Sequence, residues 1–372
     1  MTHSSAPPAV NPEGQRLVCL ALQGGGSHGA FTWGVLDALL EDGRIAIEGI
    51  SGTSAGAMNA VVLAHGMAQA EGRSSLNRND AARQALSSFW AGIVKLGGWS
   101  SSASVWPGTV WTDEITRYWS GAFSPYQSNP FDLNPLKKFL ESQVDFKRLA
   151  ANPYPATPKV FVVATRVSSG KAEVFTGARL TADAVMASAC LPTVFRAVEI
   201  EGDHFWDGGF AGNPALHPLI YECGSRDIIL VQINPIQRDK LPTQRSEIAD
   251  RVNEITFNAA LVAEMRAIDF VNRLLAEGKL DAGRYKNVLM HRIDGGEALE
   301  KFSASTKSST DSSLIYKLRD LGRLCARAWL QEHYKSLGRQ SSVDIARDYL
   351  DDLRLPVERS PNAAARVPDV LP

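Results

Sequence analysis

Eleven residues, Gly49-Ile50-Ser51-Gly52-Thr53-Ser54-Ala55-Gly56-Ala57-Met58-Asn59, constrain this chain more than any other stretch. A mostly apolar run from Ile45 to Ile50 leads into them and reads as a buried strand. Beyond them Met58, Val61, Val62 and His65 recur at helical spacing between Ala55 and Met67. A strand that turns at once into a helix forces its turn residue into a strained conformation. Small neighbours two positions before and after let the backbones pass closely. Gly52-Thr53-Ser54-Ala55-Gly56 meets that demand. It holds the Ser54 hydroxyl out of the bend, at a helix N-terminus whose unpaired N–H groups and dipole favour developing negative charge. Alone, such a motif is often a plain flexible turn; here the strand and the helix flank it on the correct sides.

The preceding strand, Leu17 to Leu22, ends in a second glycine-rich turn, Gln23-Gly24-Gly25-Gly26-Ser27-His28-Gly29. A helix with an apolar stripe of Phe31, Val35, Leu36, Leu39 and Leu40 follows it. Strand, helix, strand, helix with short links predicts an α/β fold, three-layer αβα with a mainly parallel central sheet. Gly24, Gly26 and Gly29 also satisfy G-x-G-x-x-G, so a nucleotide-cofactor enzyme is a competing reading. That reading wants an acidic residue ending the next strand. The strand ends instead in Gly49-Ile50-Ser51-Gly52, with Glu48 close by, and the serine elbow is left without a purpose. Bare glycine backbone has another use: successive N–H groups aimed at one point make an oxyanion hole.

Further along, Val160–Ala164, Ile228–Ile233 and Val288–Ile293 read as buried strands, and Thr181–Ala189 as a short helix. Val198–Ile200 and His204–Trp206 read as a hairpin turning at Glu201-Gly202-Asp203. Gln69–Asp80 reads as a surface loop and Asp132–Leu149 as helical. Ser246–Glu277 is expected to form a long amphipathic helix, broken or continuous, with Ile248, Val252, Ile255, Ala259, Val262 and Met265 on its apolar face. A last helix carries Leu314, Leu318, Leu321, Cys325 and Trp329. From Gly97 to Asn134, Gly, Ser and Pro alternate with eight aromatics, among them Trp99, Trp106, Trp111 and Trp119. This insertion is either an irregular aromatic-packed segment or a lid or lipid-facing rim. The expected organisation is a disordered leader over 1–16, one domain over 17–335, and a peripheral extension over 336–372.

With 39 basic and 40 acidic residues, no net field points to nucleic acid. The four cysteines are scattered, without a C-x-x-C pair, and read as buried thiols of a reducing compartment. No apolar run is long enough to span a bilayer, and the first residues lack a basic-then-apolar signal pattern. A cytoplasmic protein that visits the membrane surface from one side is the expectation.

A serine nucleophile needs a base. His65, His204, His217, His291 and His333 follow Ser54, and none stands in a turn after a strand, so each reads as structural. Asp207 ends a hairpin strand and precedes Gly208-Gly209, which let backbone crowd beside it. Taken alone, Asp-Gly-Gly is a turn; taken with the elbow and the triglycine loop, it belongs to a pattern.

That pattern resembles the patatin-like phospholipases. The likeness rests on Gly24-Gly25-Gly26-Ser27-His28-Gly29, Gly52-Thr53-Ser54-Ala55-Gly56 and Asp207-Gly208-Gly209, with Ala187-Ser188-Ala189-Cys190-Leu191-Pro192 and Phe195 leading to the aspartate. It spans about Leu17 to Trp329 in matching order. The resemblance implies a Ser–Asp dyad in which Ser54 is the nucleophile and Asp207 the proton acceptor. It places Gly24 in the substrate-binding loop and assigns the oxyanion to the amides of Gly25, Gly26 and Ala55. The implied substrate is a phospholipid or other acyl-ester lipid, cleaved to free fatty acid through an acyl-enzyme, with no cofactor and no metal. Transient contact with a membrane surface is implied as well. Where the family often carries Arg or Lys this chain has His28, expected to be partly charged. A catalytically idle lipid-binding relative is the third reading. Lipid identity, acyl position and oligomeric state stay open.

Overall fold

β1 (Arg16–Leu22) is buried on both faces, which explains its nearly unbroken apolar run. Its side chains alternate: Val18, Leu20 and Leu22 enter one hydrophobic layer, Cys19 and Ala21 the other. In this computed structural model, residues 10–11, 13–72, 77–97, 134–192, 194–302, 306–307, 309 and 311–350 are described. The aromatic insertion between Gly97 and Asn134, most of the leader and the chain beyond residue 350 lie outside them.

α1 (Gly29–Asp42) follows the first glycine turn and ends on Gly43 in the left-handed region, φ 73°. β2 (Ile45–Gly52) then enters the elbow, and α2 (Ala55–Ala70) leaves it. The expected surface loop over 69–80 is shorter: α2 runs to Ala70, and α3 (Arg78–Lys95) begins where Asn77 caps it by accepting the amides of Asn79 and Asp80. The expected helix over 132–149 is two, α4 (Pro135–Gln143) and α5 (Phe146–Ala151), the second capped by Asp145. β3 (Lys159–Arg166), β4 (Ala172–Phe175), α6 (Ala182–Ser188), β5 (Val198–Ile200) and β6 (Asp203–Asp207) follow. Then come α7 (His217–Glu222), β7 (Asp227–Gln232), α8 (Arg245–Ala276), β8 (Leu289–Asp294), α9 (Gly296–Glu300) and α10 (Ser312–His333).

The sheet order is β5-β6-β3-β2-β1-β7-β8, with β4 also paired to β3. β3, β2, β1, β7 and β8 pair in parallel, while β4, β5 and β6 join antiparallel. The larger apolar layer packs α1, α2, α3 and α10 on one face, and a smaller one packs α7 and α8 on the other. This is the expected three-layer αβα arrangement. α1 and α10 cross so closely that Gly34 lies against the carbonyl of Arg319 and Gly322 against that of Phe31, with no room for a Cβ at either.

α8 is continuous, but of its expected apolar stripe only the C-terminal end, at Met265, reaches the core. Ile248, Val252 and Ile255 are 47%, 55% and 55% exposed, and the buried positions are Glu254, Asn258, Leu261, Met265 and Ile268. The inner face begins with polar residues because they hydrogen-bond the loops beneath it. Glu254 pairs with Arg238, and Asn258 Oδ1 accepts from Gln23 while its Nδ2 donates to the Pro235 carbonyl. All four cysteines are buried free thiols. No helix among the described residues is long and apolar enough to cross a membrane.

Candidate active site

β1 and β2 run parallel, so their C-terminal ends open on the same side, each into a glycine-rich turn. Ser54 occupies the turn between β2 and α2 with φ 54° and ψ −121°. A non-glycine residue holds a positive φ only where its surroundings impose it. The surroundings do so here. Gly56 lies hard against the Leu22 carbonyl, where a Cβ has no space. Thr53 Oγ1 donates to the Gly212 carbonyl at 2.6 Å, and the Ser54 amide donates to Ser188 Oγ at 2.9 Å.

β3 brings the aspartate to the serine. Gly52 pairs with Val162 and Asp207 with Ala164, two residues along the same strand and so roughly 7 Å apart along it. The Asp207 backbone is fixed on both sides: its amide donates to the Cys190 carbonyl at 2.7 Å, and its carbonyl accepts from Thr165 Oγ1 at 2.8 Å. Its carboxylate accepts the Gly209 amide at 2.7 Å and lies near enough to the Ser54 hydroxyl for that group to favour the ionised form. The side chain is buried, and burial pushes its pKa up to about 7, although both groups pull the other way. A carboxyl group so placed can take a proton from a hydroxyl near neutral pH.

The glycine loop faces this pair. The Gly24 amide is already engaged, donating to Asn213 Oδ1 at 2.6 Å, so Gly24 does not donate to an oxyanion. Its contribution is closeness: a Cβ there would come within 2.8 Å of Ser54 Cβ. Among the described residues the amides of Gly25, Gly26 and Ala55 have no hydrogen-bond acceptor in the protein. Ala55 opens α2, so its amide adds the positive end of a helix dipole. Gly26 adopts φ 56° against the carbonyl of Lys307, a position closed to a side chain on both counts.

His28 corrects an expectation. Burial, helped by the charge of Lys307, pushes its pKa down to about 3, so the imidazole is neutral. Its Nε2 lies 2.7 Å from Thr306 Oγ1. Among the described residues no histidine hydrogen-bonds Ser54 or Asp207. His217 pairs with Glu264, and His291 lies between Asp227 and Ser342. Glu48 is spent on structure, accepting the amides of Gly224 and Ser225 at 2.7 Å each, which leaves no acidic group there for a ribose.

Sequence reasoning missed the residues that brace the site. Ser188, Asn213, Asn234 and Gln23 are fully buried or nearly so; the first three bond an elbow or loop peptide, and Gln23 accepts the amides of Ile233 and Asn234 beside them. Only Ser188, inside the Ala187–Pro192 motif, and Gln23, opening the glycine turn, gave any signal.

A mainly parallel α/β sheet carries a strained serine elbow, a facing glycine loop and a buried aspartate. A family model described as patatin-like phospholipase matches residues 20–220, which hold all three features, and the chain belongs to that family. Lipid acyl hydrolysis is the family's general activity. No curated protein matches the chain. Among solved structures it is similar to VipD from Legionella pneumophila, at 15% identity and a TM-score of 0.41, over 94% of this chain and 78% of VipD.

Proposed function

We propose that this protein is a lipid acyl hydrolase, of phospholipase A type or a related carboxylic ester hydrolase, working through Ser54 and Asp207. One observation carries the reading: the Ser54 hydroxyl stands beside a buried carboxylate whose pKa is raised to about 7, close enough to favour its ionised form. Ser54 Oγ attacks the ester carbonyl as its proton passes to Asp207. The carbonyl oxygen becomes an anion facing the amides of Gly25, Gly26 and Ala55, where a lost donor typically costs ~10²–10³ in rate. Collapse of the tetrahedral adduct expels the alcohol or lysolipid, which takes the proton from Asp207. Water then attacks the acyl-enzyme, giving a proton to Asp207; collapse breaks the acyl–Ser54 bond, the proton returns from Asp207 to Ser54 Oγ, and free fatty acid leaves. The substrate resides in a membrane surface, so the protein meets that surface transiently, as a peripheral visitor.

The test is fatty-acid release from phosphatidylcholine vesicles by the wild type beside Ser54→Ala. Release by the wild type alone supports the reading. Equal release by both, or by neither, refutes it.

A further inference from the structure

The glycine loop is clamped by a segment outside the three motifs. Thr306 and Lys307, just ahead of α10, lie against it at three points. The Lys307 carbonyl abuts Gly26, and Thr306 Oγ1 meets His28 Nε2. The Lys307 ammonium donates to Asn234 Oδ1 at 2.7 Å, and Asn234 Nδ2 donates to the Gly24 carbonyl at 2.9 Å. That carbonyl and the Gly25 N–H belong to one peptide plane and, in a trans peptide, point in opposite directions. A donor fixed on the carbonyl side therefore sets the aim of the N–H on the other. Hydrogen bonds in series also polarise one another, so a cation at the head of the chain strengthens the donor at its end.

We propose that Lys307 is a positioning residue for oxyanion stabilisation, acting through Asn234 to orient and polarise the Gly24–Gly25 peptide. The inference rests on the acyl-hydrolase reading and names the group that tunes its oxyanion hole. Neutral His28 supplies no charge there, and Lys307 is the cation bonded to this network. Burial lowers the Lys307 pKa below its ordinary value, with Arg238 acting in the same direction and Glu254 and Asp250 of α8 opposing it. Lys307 therefore gives up its charge at a lower pH than a free lysine does, so the rate falls on the alkaline side.

The test compares full-length wild type, Lys307→Met, Asn234→Ala and the double variant on p-nitrophenyl butyrate across pH, with hydrogen exchange followed over residues 23–30. Expected for Lys307→Met is a kcat lower by about 10- to 100-fold with KM little changed. The alkaline fall is lost in that variant, and exchange of the glycine-loop amides is faster. The double variant is no worse than the worse single one, because both act on one chain of bonds. Unchanged kcat and unchanged exchange overturn the proposal. So does a loss shared between kcat and KM with the alkaline fall retained, the mark of a merely structural role. If the wild type hydrolyses no ester, the acyl-hydrolase reading fails, and loop exchange in Asn234→Ala and Lys307→Met still decides whether the clamp exists.

Discussion

Ser188 Oγ accepts the backbone N–H of Ser54 at 2.9 Å, so the end of α6 holds the strained elbow from beneath. Two residues on, the Cys190 carbonyl accepts the amide of Asp207. One short segment thus fixes both members of the dyad relative to each other, although they arrive from different strands. Removing the Ser188 hydroxyl leaves the Ser54 amide without a partner, at a cost of about 1–3 kcal/mol. Ser188→Ala is predicted to lower the unfolding free energy by that amount in urea titration. It is also predicted to lower kcat by about tenfold or more, since small displacements of a nucleophile are expensive.

The Asp207 carboxyl must be ionised to accept the Ser54 proton, and burial holds its pKa near 7. Hydrolysis should therefore rise with pH through about 7 rather than being fully developed at pH 5. A profile of kcat/KM between pH 5 and 9 on a soluble short-chain ester checks this. A rate already flat from pH 5 would mean that Asp207 is not the group being titrated.

The same burial makes Asp207 a stability liability. Its folded pKa, about 7, exceeds the ordinary carboxyl value of 3.8. Below 3.8 the carboxyl is protonated in both states and no cost appears. Between 3.8 and 7 the unfolded chain releases its proton while the folded one keeps it, so folding loses ground as pH rises. Above 7 the cost is complete, on the order of 4 kcal/mol. Asp207→Asn, which keeps an acceptor for the Gly209 amide, is predicted to melt higher than wild type at pH 8, with the advantage gone at pH 4. Thermal unfolding at the two pH values measures it directly.

Packing sets a further expectation away from the chemistry. Gly34 on α1 and Gly322 on α10 each meet the other helix's backbone with no room for a Cβ. Gly34→Ala or Gly322→Ala must push the helices apart, costing about 1–3 kcal/mol of overpacking. The fall should appear in chemical unfolding, and α1 begins directly behind the glycine loop, so activity should fall with it.

Much of this was legible in the chain, for identifiable reasons. The elbow and the glycine loop announce themselves because local backbone geometry demands glycine at fixed offsets. Asp207 stood out only through the pattern it makes with the elbow and the glycine loop, since Asp-Gly-Gly alone reads as a turn. Two of the bracing residues were not legible. Nothing local distinguishes Asn213 or Asn234 from any other buried polar residue, and their partners lie far away in sequence. Helix α8 misled for a related reason: its periodic stripe of Ile248, Val252 and Ile255 faces outward, while Glu254 and Asn258 turn inward to serve the loops. Periodicity shows that a helix has an apolar face and not what that face meets. The short β4 lacked the length to declare itself.

The central claim is that the Ser54 oxygen, activated by Asp207, becomes covalently acylated. Labelling with a fluorophosphonate, with the modified peptide located by mass spectrometry and the rate followed over time, tests it most directly. The account predicts one adduct, on Ser54, formed quickly by the wild type, at least about 10²-fold more slowly by Asp207→Asn, and not at all by Ser54→Ala. An adduct on another residue, or a rate unchanged in Asp207→Asn, would contradict it.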